Sequence, residues 1–207
     1  METRVDGRSL RYLHRRDELL EAVAEYVLEN GVASLSLRRV AQSVGISHVT
    51  LQYHFGTREE LVGEIVEHLL ERTLMPSTVY PDGEPDHALD LGTRLRRSWE
   101  QLASPPGQRD IRLFVEVLGQ SQFSGAEYAP TVERSMARRL DVITRNVIKL
   151  GCPEDEARAV ATLALATLRG FAIELLVTGE RERLDAAYEL LVANTERRAE
   201  SWTTRRG

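Results

Sequence analysis

Apolar residues recur at helical spacing from one end of this chain to the other, and the runs are cut only by prolines, glycines and short polar clusters. Leu19, Val23 and Val27 form one stripe, and Leu61, Ile65 and Leu69 form another in a helix expected from Arg58 to about Thr73. No stretch alternates apolar and polar long enough to compete as a strand, so the expected fold class is all-α. The segment LMPSTVYPDGEPD, with Pro76, Pro81, Gly83 and Pro85, cannot continue a helix and separates a smaller half from a larger one. Five helices are expected beyond it. They run from about Asp86 to Ala103, Gly107 to Phe123, Pro130 to Gly151, Pro153 to Gly179 and Arg181 to Ser201, with the second stopped by Ser124-Gly125. The expected division is a three-helix domain at residues 1–57 and a larger helical domain at 58–207.

Residues 36 to 60, SLRRVAQSVGISHVTLQYHFGTREE, have the layout of a helix-turn-helix. Ser36 is placed to cap a short helix with Leu37, Val40, Ala41 and Val44 on one face. Gly45 supplies the positive φ of the turn, and Ser47 caps the next helix. Thr57 and Glu60 are spaced as a capping box for the helix after that. No aspartate or glutamate lies between Asn30 and Arg58, whereas Arg38, Arg39, His48, His54 and Arg58 do. A face that meets phosphates needs that bias, because each carboxylate there would oppose the polyanion. Helices of this kind enter the major groove by their N-terminal turn. His48, Val49, Thr50 and Gln52 are therefore the expected base-edge contacts, Ser36, Tyr53, His54 and Arg58 the expected phosphate contacts, and Arg38 is able to serve as either.

The order of these residues resembles the DNA-binding domain of the TetR family of bacterial transcriptional regulators. The likeness runs from about Arg15 to His68: a first helix ending at Glu29-Asn30-Gly31, then SLSLRRVAQSVGIS, a TLxYHF core and TREEL. Gly45, Thr50-Leu51, His54-Phe55 and Leu61 match the family pattern. Gln52 departs from it, since the family usually has Tyr there, and Arg58 stands where Lys is common. Beyond His68 only the helical layout is similar. The resemblance implies a repressor that a small-molecule effector releases from its operator, and a homodimer built by a four-helix interface of the last two helices. In that interface Ala161, Ala164, Leu168, Phe171 and Leu175 would meet Leu184, Tyr188 and Leu191. It also implies an apolar effector among the middle helices, which supply Trp99, Leu102, Phe114, Leu118 and Phe123, then Met136, Leu140, Ile143 and Val147. Each of these would serve equally as ordinary core. Glu116, Gln120 and Arg112 lie off the main stripe.

The rest of the chain mainly excludes. The 207 residues, 42% hydrophobic and 29% charged with a net charge of −5, suffice for a sizeable core. The single cysteine, Cys152, allows no intrachain disulfide and fits a reducing compartment. The start METRVDGRSLRYLHRR has no apolar signal region, and the apolar run from Ala159 to Val177 is interrupted by Arg169 and Glu174. The expected location is the bacterial cytoplasm, at the nucleoid, with no membrane partner. There is no HExxH, GxSxG, phosphate-cradling glycine loop or CxxC, so no enzyme, cofactor or metal is expected. His68 and Glu64 read as a solvated i, i+4 pair, and His14 and His87 have no partners at useful spacing. The competing readings are a helical-bundle enzyme or carrier with a vestigial helix-turn-helix, and a DNA-binding regulator controlled by a protein partner.

Overall fold

The computed structural model describes residues 7–33, 35–74, 89–123 and 128–204. Within them are helices only, in the order α1 (Gly7–Asn30), α2 (Leu37–Ser43), α3 (His48–Phe55), α4 (Arg58–Leu74), α5 (Leu91–Ala103), α6 (Pro105–Phe123), α7 (Ala129–Lys149), α8 (Glu154–Thr178) and α9 (Arg181–Thr204). The proline loop that follows α4, His87, the side chain of His14 and the Ser124-Gly125 break lie outside the described residues. Helix α5 starts at Leu91 rather than near Asp86, because the Asp90 carboxylate accepts from Thr93 N at 2.8 Å and from Thr93 Oγ1 at 2.6 Å. Helix α6 starts two residues before the expected Gly107, with Pro105 in its first position.

One apolar core runs through all nine helices. It passes from Val23, Leu51 and Phe55 through Leu61, Ile65 and Leu69 of α4 to Trp99, Phe114, Val117 and Tyr188. Helix α4 packs on α1 and α3 on one side and on α5, α6 and α7 on the other. The far end is held by an aromatic cluster: Trp99 stacks on Tyr188 with ring centroids 5.1 Å apart, and Phe171 meets both rings edge-on at 5.7 and 5.6 Å. The polar edges of that cluster are also satisfied, since Trp99 Nε1 donates to Asp185 at 2.6 Å and Tyr188 Oη donates to Leu95 O at 3.0 Å.

Two sets of expected contacts can be located in the single chain. Of the effector-lining residues, Trp99, Leu102 and Phe114 are core, Leu118, Met136 and Leu140 are half-buried, and Ile143 belongs to a separate small cluster with Ala161 and Leu165. Phe123, at the last position of α6, is 89% exposed and lines no interior. The stripe expected at the dimer interface faces the protomer's own core. Ala161, Leu175, Leu184 and Tyr188 are buried in the single chain, and Ala164, Leu168, Phe171 and Leu191 are half-buried. Helix α8 is apolar on two sides, and its spacing alone does not say which side meets α5 and α9. The apolar side chains left open are Leu163 (62% exposed), Ile173 (38%) and Val177 (78%) on α8, and Leu190 (69%) on α9. By length and composition α8 could also cross a membrane; here it packs against α5, α6, α7 and α9.

Because Phe171 packs edge-on against both rings of the Trp99–Tyr188 stack, Phe171→Ala should lower unfolding free energy by about 3 kcal/mol, the low end for truncating a buried aromatic, since part of the ring is accessible. The urea midpoint should fall with the subunit count unchanged in light scattering.

Candidate nucleic-acid interface

The helix-turn-helix is built by short-range bonds. Ser36 takes the extended conformation of a cap (φ −125°, ψ 119°) but its hydroxyl caps nothing, so the expected side-chain cap of α2 is absent; Ser36 O accepts from Val40 N at 3.0 Å. The turn closes through Gly45 at φ +73°, a conformation costly for any residue with a Cβ, and Ile46 N donates to Ala41 O at 3.0 Å. Ser47 Oγ accepts from Thr50 N at 3.0 Å and shares a hydrogen bond with Thr50 Oγ1 at 2.7 Å. Leu51 and Phe55 drive one side of α3 into the core, which fixes the opposite side outward. At the start of α4 the capping box forms: Thr57 N donates to Glu60 Oε2 at 2.8 Å and Glu60 N to Thr57 Oγ1 at 3.2 Å.

On that outward side His48, Val49, Thr50, Gln52 and Tyr53 are all exposed, with Val49 at 74% and Tyr53 at 76%. Arg38 and Arg39 are exposed on α2 beside them. Val49 and Tyr53, large apolar bodies held in water by a short rigid helix, are unexpected for a surface with no partner. His54 is half-buried, its ring edge-on to Tyr53 at 5.5 Å. Arg16 braces the same helix from behind: its guanidinium lies 5.1 Å from the Phe55 ring centre, donates to His54 O at 3.4 Å and pairs with Glu64 at 2.6 Å. Glu64 is thereby taken from His68, which pairs with Glu21 of α1 instead.

Arg58, expected to hold a phosphate, turns inward. Its guanidinium donates to Val32 O at 2.9 Å and lies 5.7 Å from the ring centre of the buried Tyr128. From the other side Glu116 of α6 accepts through one oxygen from Val32 N and Ala33 N, both at 2.8 Å. Gln120 donates to that oxygen at 3.3 Å. The turn after α1 is thus held by α4 and α6 together. The sequence carried no signal for this grip, because its partners lie 26 and 84 residues apart.

Residues 19–65 match the family model of bacterial regulatory proteins, tetR family. That stretch is thus similar to the DNA-binding region of TetR-family regulators. Over 73 residues the chain is 34% identical to the HTH-type transcriptional repressor KstR2 of Mycobacterium tuberculosis, covering 32% of this chain and 36% of KstR2. The match therefore spans about a third of that relative. The TetR-like fold extends further. A putative TetR-family transcriptional regulator from a Rhodococcus species superposes with a TM-score of 0.69 at 19% identity, over 88% of this chain and 96% of that one. BioQ, solved with its double-stranded DNA operator, superposes with a TM-score of 0.52 at 18% identity, over 87% and 97%.

Since the Arg58 guanidinium serves the turn after α1, Arg58→Ala should destabilise the fold by about 1.5 to 3 kcal/mol, the range for a charged hydrogen bond. The loss should appear in thermal unfolding without DNA, while the salt slope of duplex binding stays unchanged.

Proposed function

We propose that the chain is a sequence-specific DNA-binding transcriptional regulator of the bacterial cytoplasm, acting as a repressor. The observation that carries this reading is the row of exposed side chains on α3, set by buried Leu51 and Phe55, in a TetR helix-turn-helix whose residues 30–58 hold no acid. KstR2, similar over 73 residues of this chain, is named a repressor, and BioQ was solved with its operator. The base-reading set is His48, Val49, Thr50 and Gln52. Gln52 pairs bidentately with adenine, and the methyls of Val49 and Thr50 meet a thymine methyl. Thr50 Oγ1, shared with Ser47, is the part of this set already engaged within the protein. Tyr53, Arg38 and Arg39 hold phosphates. Residues 1–57 form the reading head, and 58–207 bind an effector and the second subunit.

The homodimer forms through the open side of α8, where Leu163, Ala166, Gly170, Ile173 and Val177 follow one another at three- and four-residue spacing, with Leu190 of α9 beside them. Small residues at 166 and 170 let two such helices approach closely, and a two-fold arrangement buries the stripe against its own copy. The two reading heads then sit about 34 to 36 Å apart on one face of the duplex.

Selection of bound sequences from a random duplex pool should return one motif with two half-sites at that spacing. Gln52→Ala should lose about 1 to 3 kcal/mol on that motif only, with preference relaxed at one base pair per half-site. Equal weakening on cognate and scrambled duplexes would instead assign Gln52 to phosphate. Leu163→Arg and Ile173→Arg, both exposed in the protomer, should leave folding intact and weaken the dimer by at least about 2 kcal/mol, as for a central interface residue. An unshifted dimer in both variants would sink the interface.

A further inference from the structure

Helix α6 holds α1 and the turn after it by polar contacts at two places. Near the start of α6, Arg109 Nη2 pairs with Glu25 at 3.1 Å, an exposed contact worth little by itself. About two turns further along, Glu116 reaches the turn that ends α1. There the fully buried Val32 has both backbone polar groups held by charged side chains. Its N–H donates to the Glu116 carboxylate of α6 at 2.8 Å, and its C=O accepts from the Arg58 guanidinium of α4 at 2.9 Å. Ala33 N donates to the same Glu116 oxygen at 2.8 Å. Val32 O also accepts from Leu35 N at 3.1 Å, just ahead of α2. Gly31 admits the carboxylate: a Cβ at that position would stand 3.1 Å from Glu116 Oε2.

Apolar packing keeps α4 against α5, α6 and α7, but such packing is non-directional and tolerates small tilts. Hydrogen bonds to a carboxylate are short and directional, so Glu116 fixes the angle between α6 and the turn that leads into α2. That angle matters once two copies act together. The open side of α8 lies on the far part of the chain, whereas α3 lies beyond the turn, so the separation of two copies of α3 depends on the joint. Along a duplex, one base pair moves a half-site by about 3.4 Å and rotates it by roughly 35°. A stiff joint resists that displacement, and a loose one follows it.

We infer that Glu116 is a positioning residue for DNA recognition: it touches no base or phosphate, and it determines which half-site spacing the dimer accepts. This rests on the regulator reading above and on its dimer. Base preference within a half-site then belongs to α3, and the distance between half-sites to a carboxylate on α6. The two kinds of specificity are separable by mutation.

The test measures binding of the full chain to three duplexes: the motif returned by selection, and the same two half-sites moved one base pair closer or further apart. The parent should lose at least about tenfold on either displaced duplex, and Glu116→Ala about threefold or less, because a joint that bends keeps both half-sites engaged. Glu116→Gln retains an oxygen that accepts from both amides and should keep the parent's ratio between duplexes. A purely structural role would lower the folded fraction and weaken binding to all three duplexes alike, leaving that ratio as in the parent. Should Glu116→Ala not fold, Glu116→Asp takes its place, since a side chain one methylene shorter cannot reach both amides from the same backbone position. A ratio equal to the parent's in the variant that folds would overturn the inference, as would a parent that binds all three spacings equally. A parent that selects no two-part motif fails earlier and differently, and removes the regulator reading itself.

Discussion

The joint between the helix-turn-helix and the rest of the chain depends on how one turn is held. Residues Gly31 to Ala33 follow α1, where a helix presents carbonyls and a negative dipole end, so a carboxylate arriving there meets an unfavourable field. Glu116 sits there nonetheless, because Val32 N and Ala33 N both point at the same carboxylate oxygen at 2.8 Å. Arg58, bonded to Val32 O at 2.9 Å, brings the matching cation to the same place. Gly31 takes φ +74° to turn the chain so that both amides face α6. Directed hydrogen bonds thus outweigh the dipole, and they tie α1, α4 and α6 at one point. Helix α6 cannot slide along its axis without breaking the bonds that fix where α2 begins, and α2 and the Gly45 turn fix where α3 points. A ligand that moved α6 would move α3, to the extent that it binds the two arrangements with different affinity.

What was legible in the sequence was what is local. The ends of α3 and α8, the Ser47 cap and the Thr57–Glu60 box each rest on residues within four positions of one another, so spacing and residue type suffice to find them. Ser36 shows the limit, since residue type and backbone conformation are right and the side chain still makes no cap bond. Contacts across the chain were not legible. Arg58 looked like a phosphate ligand because the segment before it holds no acid, yet its guanidinium faces Val32 and Tyr128. Glu116 looked like surface, and it is the central acceptor of the joint. The two sides of α8 show the same difficulty. Both are apolar at helical spacing, and only the positions of α5 and α9 decide that Phe171 and Leu175 turn inward while Leu163 and Val177 stay in water.

That allocation makes chemical sense of α8. The inner side carries Ala157, Ala161, Leu165, Ala172 and Leu175, a mixture of small and large residues that fits the neighbouring helices, and Phe171 packs edge-on against the stacked pair of rings. The outer side has two small positions, Ala166 and Gly170, between Leu163 and Ile173. A flat apolar strip with a small-residue centre is costly to leave in water and well shaped to meet another like itself.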